Sequence, residues 1–297
     1  MLYVSFTGHN RQLRLVLAVI MTVALAITSL NATAENFAEH GYASLQTFYD
    51  SGSTRDVLLD LSVSAGNKTR LTATIGNTNG DESAVGVGDE LDLDYWDIGI
   101  GHEFTDEFTF KISGGSSGQD QDINIKSVNI NMNWTGQNWL FSLRPQFREL
   151  ELLFFTMSGP RIIDINSKGI GTSIGYLGID RWEIIFSYDS YDYDRNTRLL
   201  NIPFIVNRFS SKALTAASGI KDHGYDLSVT RLFSESDITV SFGQNKSAID
   251  GTTSDAVSLN MNFYQFDPVT IGIEAGGIDS QIDDASYYAG LTFGYFW

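Results

Sequence analysis

The chain contains few residues of the types that carry out catalysis or bind metal ions. There is no cysteine, and only three histidines, His40, His102 and His223, follow residue 34. None of them has a serine two positions away on the same face of a strand, and no HExxH pattern occurs. Acidic pairs such as Asp283-Asp284 lie in polar stretches that are typical of solvated loops. We therefore predict no catalytic residue, no metal site and no cofactor.

A second set of charged residues lies in stretches where apolar and polar residues alternate. If the apolar residues of each stretch share one face, the other face receives both bases and acids. These residues are Lys111, Arg144, Arg148, Asp60, Asp226 and Glu274, with either Asp92 or Asp94. Bases that face acids across a water-filled interior would create a transverse field that orients polar solutes. Alternatively, the charges pair with one another and fill a narrow interior.

The alternation itself predicts an all-β protein. It gives fourteen strands, from Tyr42–Tyr49 to Tyr287–Trp297, with twelve or sixteen as alternative counts. In Leu91–His102 and Asp122–Trp134 the apolar phase slips by one residue, which is the pattern of a β-bulge. Connections after the even-numbered strands are tight, and aromatic residues flank most of them. The connections at the other end are mostly longer and polar.

The last strand determines how these strands are arranged. It carries Tyr287, Leu291, Phe293, Tyr295 and Trp297 on one face, and such an apolar edge aggregates if it is exposed to water. In lipid, a closed barrel pairs its last strand with its first. We therefore expect a closed antiparallel transmembrane β-barrel over residues 35–297, with short periplasmic turns and longer extracellular loops. The alternative is a secreted soluble β-sandwich or β-solenoid, although no internal repeat favours a solenoid.

This ending resembles the C-terminal strand of bacterial outer-membrane β-barrels, the porin-like class, and no narrower family is indicated. The resemblance implies that Phe293, Tyr295 and Trp297 form the signal that the barrel-assembly machinery reads. It also implies a Gram-negative outer membrane, with the lipid bilayer and lipopolysaccharide as partners.

The first 34 residues have the order of a secretory signal peptide. A segment with two arginines precedes the apolar run Leu15–Leu30, and Ala32-Thr33-Ala34 is a small-residue cleavage site. We expect cleavage there; the alternative is a membrane anchor, for which the run is short. Because this segment holds two bases and no acid, the remaining chain has 17 bases, 36 acids and a net charge of −19. That charge disfavours nucleic acid as a partner.

One long connection, roughly Asp194–Asp222, has an apolar centre with bases around it. We expect Arg198, Phe204 and Arg208 to belong to a constriction or lid that folds into the barrel mouth. The alternative is that this connection packs against neighbouring loops or a partner. The remaining outer loops are acidic and would concentrate cations, including divalent ions shared with lipopolysaccharide.

The function predicted from these patterns is passive diffusion of small hydrophilic solutes or ions through a polar lumen. The first alternative is a structural or adhesion barrel whose lumen is blocked by side chains and the long connection. A barrel enzyme is the least favoured alternative.

Overall fold

The structure, a computed structural model, describes residues 41–51, 54–80, 91–119, 123–156, 159–195, 197, 220–248, 251–281 and 285–297. These residues form fourteen strands, which confirms the predicted number. The first seven are β1 (Gly41–Asp50), β2 (Arg55–Ser64), β3 (Thr69–Gly80), β4 (Leu91–Glu103), β5 (Phe108–Gln119), β6 (Ile123–Thr135) and β7 (Trp139–Thr156). The others are β8 (Gly159–Ile179), β9 (Trp182–Tyr193), β10 (Lys221–Leu232), β11 (Ser236–Ser247), β12 (Thr253–Phe266), β13 (Val269–Ser280) and β14 (Ser286–Phe296).

Each strand pairs antiparallel with its neighbours in the sequence, and β1 pairs with β14 to close the barrel. The closing register runs from Tyr42 opposite Phe296 to Asp50 opposite Tyr288. Beyond β14, Trp297 exchanges two backbone hydrogen bonds with Gly41, of 3.0 and 3.2 Å. A Cβ at Gly41 would lie 2.2 Å from the Trp297 ring, so glycine is needed at this contact. The predicted closure of the last strand against the first is confirmed.

The barrel has an apolar outer surface and a polar interior because successive side chains point to opposite faces. On the outer surface, Leu45, Ile98 and Phe293 are 46%, 63% and 49% exposed. Their cross-strand neighbours are also apolar, so the exposed residues form a continuous belt. Contiguous exposure on this scale is rare in soluble proteins. We therefore assign the belt to contact with lipid, where a closed sheet leaves no unpaired edge.

The two ends of the barrel differ in their connections. At one end, the turn end, all six connections within the chain contain two to four residues. At the other, the loop end, the connections range from two residues between β7 and β8 to 27 between β9 and β10. β7 and β8 are the longest strands, with 18 and 21 residues, so this hairpin extends beyond its neighbours. Among the described residues, no helix is long and apolar enough to cross a membrane.

The predicted bulge in β4 is wrong. The β3–β4 register is continuous from Thr69 opposite His102 to Gly80 opposite Leu91. The apolar phase changes because the inner face is itself apolar at the loop end, where Leu93 is buried. The same explanation holds for β6, where Ile125 is buried and the register with β5 is also continuous. Register shifts occur instead near strand ends, between β8 and β9, β10 and β11, and β12 and β13.

β5 continues to Gln119 through a stretch of small and polar residues that lacks apolar alternation. A Cβ at Gly115 would lie 2.3 Å from the Trp96 carbonyl oxygen, so the backbone of β4 and β5 approaches closely only if this residue is glycine.

The lipid assignment predicts a stability cost that depends on depth. Leu291 and Tyr287 both lie on the outer face of β14, one near the middle and one near the loop end. We expect Leu291→Arg to destabilise the barrel by about 2–4 kcal/mol and Tyr287→Arg by about 0–1 kcal/mol, because a buried charge in hydrocarbon is costly and one near the headgroups is not. Denaturant unfolding in lipid vesicles measures both values. Equal losses for the two variants would contradict a membrane-spanning β14.

Candidate functional site

The inner wall of the barrel is lined by small and polar residues. Asn129, Asn131 and Asn133 of β6 pair with Ser113, Lys111 and Thr109 of β5 on this face. Thr239 and Ser241 of β11 pair in the same way with Asn260 and Ser258 of β12. Such a wall is hydrated easily, because its hydroxyl and amide groups bind water. The candidate functional site is therefore the lumen itself.

Three inward-facing bases lie close together on β7 and β10. Arg144 and Arg148 of β7 face the lumen, and Asp189 of β9 and Lys221 of β10 lie beside them. Asp189 accepts a hydrogen bond from Arg144 Nη2 at 3.3 Å and forms an ion pair with Lys221 Nζ at 3.6 Å. Arg148 Nη2 donates to Gln146 Oε1 at 3.0 Å. We call Arg144, Arg148, Lys221 and Asp189 the basic cluster.

Tyrosines and glycines support the basic cluster. The Arg148 guanidinium lies 4.6 Å from the centre of the Tyr191 ring and also donates to its hydroxyl at 3.1 Å. Across the strands, Gly169 pairs with Tyr191 and Gly171 pairs with Asp189. A Cβ at Gly171 would lie 2.3 Å from Asp189 Oδ1 and 3.0 Å from Arg144 Nε. Glycine at this position therefore leaves room for the two charged side chains against the wall.

Other acids on the inner wall accept hydrogen bonds from uncharged side chains. Asp60 of β2 accepts hydrogen bonds from Gln46 Nε2 at 2.7 Å and Thr74 Oγ1 at 2.6 Å. Glu274 of β13 accepts from Tyr288 at 3.1 Å and Asn260 at 3.3 Å. These four donors fix the orientation of the two carboxylates.

A third acid, Asp237 of β11, is held in the same way. It accepts hydrogen bonds from Asn262 Nδ2 at 2.9 Å and from the Tyr264 hydroxyl. Within the described part of the chain, neither Asp60 nor Asp237 forms an ion pair with a base. Asp60 on β2 and Asp237 on β11 thus form no ion pair with the basic cluster, whereas Asp226 faces inward on β10, the strand that carries Lys221.

The other predicted lumen residues are distributed around the wall. Lys111 faces inward on β5, beside Gly99 and Gly101, and lies apart from the basic cluster. Asp226 faces inward on β10, opposite Gly243. The prediction for Asp92 or Asp94 is wrong, because both lie on the outer face, where Asn77 Nδ2 donates to them at 2.6 and 2.9 Å. The inward acid of β4 is instead Asp97, which pairs with Thr74 and is buried.

At the loop end, the inner wall is buried on several neighbouring strands. One row runs through Phe48, Asp56, Thr78 and Leu93, which pair across β1 to β4 and are 2%, 1%, 4% and 5% exposed. A second row, on β5 to β8, runs through Ser117, Ile125, Leu150 and Ile165, which are 8%, 5%, 3% and 0% exposed. We call these two rows the buried layer. Its residues pack against other protein atoms and do not line open water.

The long connection between β9 and β10 starts and ends at this level. Thr197 and Ile220 are 5% and 2% exposed, and Ala248 bonds to both, by accepting from Thr197 Oγ1 at 2.6 Å and donating to the Ile220 oxygen at 2.9 Å. Just past β9, the backbone and side chain of Asn166 donate to Asp194, which holds the pKa of Asp194 below its usual value. The predicted constriction residues Arg198, Phe204 and Arg208 lie outside the described residues.

Comparison with known proteins identifies the fold. CymD, a monoaromatic hydrocarbon channel, superimposes with a TM-score of 0.52 at 8% identity, over 90% of this chain and 89% of CymD. A loop-deletion mutant of the Vibrio cholerae outer-membrane protein OmpT matches with a TM-score of 0.48 at 11% identity, over 86% of this chain and 98% of that one. The NanC porin matches with a TM-score of 0.45 at 11% identity, over 84% of this chain and 98% of NanC. No family model and no curated protein matches the chain.

The chain has the fold of an outer-membrane β-barrel.

In this barrel the proposed assembly residues lie at the closing seam. Phe293 and Tyr295 are exposed on the outer face of β14, and Trp297 follows at the turn end, where its ring stacks on Tyr295 at 6.3 Å. Other aromatic residues lie at the same end, including Trp134, Trp139 and Tyr176, with ring centroids of Trp139 and Tyr176 4.8 Å apart. This placement is typical of the aromatic girdle at a membrane interface.

The described histidines lie outside the lumen. His102 shares a hydrogen bond with Thr69 at 2.9 Å and packs against Phe104 at the turn end. His223 Nδ1 lies 3.3 Å from Asp222 on the outer side of β10. Among the described residues, no group of three or more histidine and acidic side chains is arranged to hold a metal ion. His40 lies outside the described residues.

The sequence pattern did not reveal the second half of the basic cluster. Asp189 and Tyr191 lie in the continuation of the β9 alternation that gives Glu183, Ile185 and Ser187, so extending that strand by two residue pairs would have found them. Lys221 lies at a register shift at the start of β10, and alternation alone does not predict its direction.

Proposed function

We propose that the protein is an outer-membrane channel for passive diffusion of small hydrophilic solutes or ions. The observation that carries the proposal is a polar inner wall on which fixed bases, in the basic cluster, and fixed acids, such as Asp60 and Asp237, both face the lumen. Asp60 and Asp237 accept hydrogen bonds from uncharged groups and pair with no base among the described residues. Fixed charges on opposite sides of a pore create a local field that favours polar solutes and sets ion selectivity. The likeness to CymD contributes the fold alone.

The proposal places the barrel in the outer membrane of a Gram-negative bacterium. The turn end, where β1 begins and β14 ends, would face the periplasm. The expected signal peptide would direct export. Lipid, lipopolysaccharide and the barrel-assembly machinery would be its partners. The proposal includes no catalytic step, and the described histidines lie on the outer side of the barrel wall.

Recordings from single barrels in a planar lipid bilayer test this proposal. We expect stepwise conductance, with the reversal potential in a salt gradient shifted towards anion selectivity by Asp60→Asn and towards cation selectivity by Arg144→Gln. The shifts have opposite signs because each substitution removes one sign of charge from the lumen. Lys126→Gln is the matched control, since Lys126 lies on the outer face in a pair with Glu151. A barrel that inserts without conductance would contradict the proposal.

A second candidate function, a structural or adhesion barrel with a blocked lumen, is favoured by the buried layer. Ile165 is completely buried within the barrel, which is unusual for the wall of an open pore. In this view the polar lumen below the layer is a closed, hydrated cavity.

Removing side-chain volume from the buried layer separates the two candidates. If the layer blocks the lumen, Ile165→Ala should raise the single-channel conductance from near zero, because it leaves a cavity where the wall is packed. Ile174→Ala makes the same change on the outer face of β8, where Ile174 is 41% exposed, and should leave conductance unchanged. Clear wild-type conductance that Ile165→Ala does not alter would exclude the blocked barrel.

A further inference from the structure

We infer that the basic cluster is a binding site for a small oxyanion, a carboxylate or a phosphate, on one side of the lumen. The inference deepens the proposed function in one respect, since the anion must reach the site through the lumen.

The basic cluster carries an excess of positive charge. Arg144, Arg148 and Lys221 carry three positive charges, and Asp189 is the only acid that pairs with them among the described residues. The four residues therefore have a net charge of two positive units. The side chains of Arg144, Asp189 and Lys221 are 31%, 23% and 21% exposed, so they are partly withdrawn from water yet open to the lumen. An excess charge in such a position attracts an anion more strongly than one on an exposed surface.

The two arginines of the basic cluster have N–H donors that make no hydrogen bond within the described part of the protein. An arginine has five N–H donors in a planar fork that matches the oxygens of a carboxylate or phosphate. Arg144 makes one bond, from Nη2 to Asp189 at 3.3 Å, and its Nε is buried against the wall, so the donors left over are those of its two terminal nitrogens. Both hydrogen bonds of Arg148 use Nη2 alone. Donors from both arginines thus remain for a ligand.

The Arg148 guanidinium is held in place by its neighbours. Tyr191 donates to Gln146 Oε1 at 2.8 Å, and Arg148 Nη2 donates to both residues while its guanidinium lies against the Tyr191 ring. This closed set of three contacts fixes the guanidinium before a ligand arrives, which lowers the entropic cost of binding.

Three glycines provide the space beneath the basic cluster. Gly169, Gly171 and Gly224 lie on the inner face directly under its side chains. Added Cβ atoms would lie 2.5 Å from the Tyr191 ring, 2.3 Å from Asp189 Oδ1 and 2.4 Å from Lys221 Cε. Glycine at all three positions lets the side chains of Tyr191, Asp189 and Lys221 lie flat against the wall.

Calorimetric titration of the folded, full-length barrel in detergent, with sodium phosphate and separately with sodium acetate, tests the inference. We expect saturable binding of at least one of the anions, weakened about tenfold or more by Arg148→Gln, as for a lost hydrogen bond to a charged group. Asp189→Asn should strengthen binding, because it removes the competing carboxylate. A gain of affinity also shows that the variant is folded. Binding of phosphate alone or of acetate alone would support the site and identify which oxyanion it prefers.

Lys126→Gln is the control, since it removes one positive charge from the outer face, away from the lumen. Its affinity should stay within about twofold of the wild type, because exposed charges are largely screened by salt. The inference is overturned if neither anion binds, if Asp189→Asn weakens binding, or if Lys126→Gln and Arg148→Gln have equal effects. Calorimetry reports binding whether or not current flows. A barrel that binds the anion without conductance would overturn the channel alone, and one that conducts without binding would overturn the site alone.

Discussion

Pairing of the backbone between β1 and β14 is the interaction on which the rest of the structure depends. In hydrocarbon no water is present to satisfy an unpaired N–H or C=O group, and each one left unpaired costs several kcal/mol, or roughly the loss of a strong hydrogen bond. A fourteen-stranded sheet in lipid is stable only if its two edges meet. The register from Tyr42–Phe296 to Asp50–Tyr288, extended by the two bonds between Gly41 and Trp297, joins them.

Closure has a direct consequence for function. Once the sheet is closed, alternate residues of every strand must face inward, whatever their chemistry. Small, polar and charged residues occupy these positions through the middle of the barrel, and a mixture of apolar and polar residues, all of them buried, occupies several of them at the loop end. The inner wall is therefore not uniform along its axis. A polar section, which contains the basic cluster, Asp60 and Asp237, lies below a packed section, the buried layer.

The sequence was sufficient to predict the number of strands, the closing pair and the tight turns, because each follows from a period of two and from turn residues. It was also sufficient to assign most outward positions. It gave the wrong prediction, a β-bulge, where the inner face becomes apolar. There Leu93 and Ile125 look like lipid-facing residues that are shifted by one position. Alternation distinguishes the two faces of a strand, but it does not show which face is inside when both are apolar.

Features that depend on neighbouring strands could not be predicted from one strand at a time. Asp189 bridges Arg144 and Lys221, which lie 77 positions apart in the chain, and the register across β7, β9 and β10 brings them together. The glycines under the basic cluster have the same origin. Gly169 and Gly171 look like flexible residues in the sequence, whereas in the barrel each lies opposite a side chain that requires its space.

The most direct test of a closed barrel with a hydrated lumen is the water accessibility of alternate positions on β6. The chain has no cysteine, so single substitutions can be labelled with a charged thiol reagent in lipid vesicles without background. The account predicts that Asn129→Cys and Asn131→Cys react, whereas Val128→Cys and Ile130→Cys, on the lipid face, do not. Reaction at neither set would mean that the interior is filled and dry. Equal reaction at both sets would mean that β6 does not separate water from lipid.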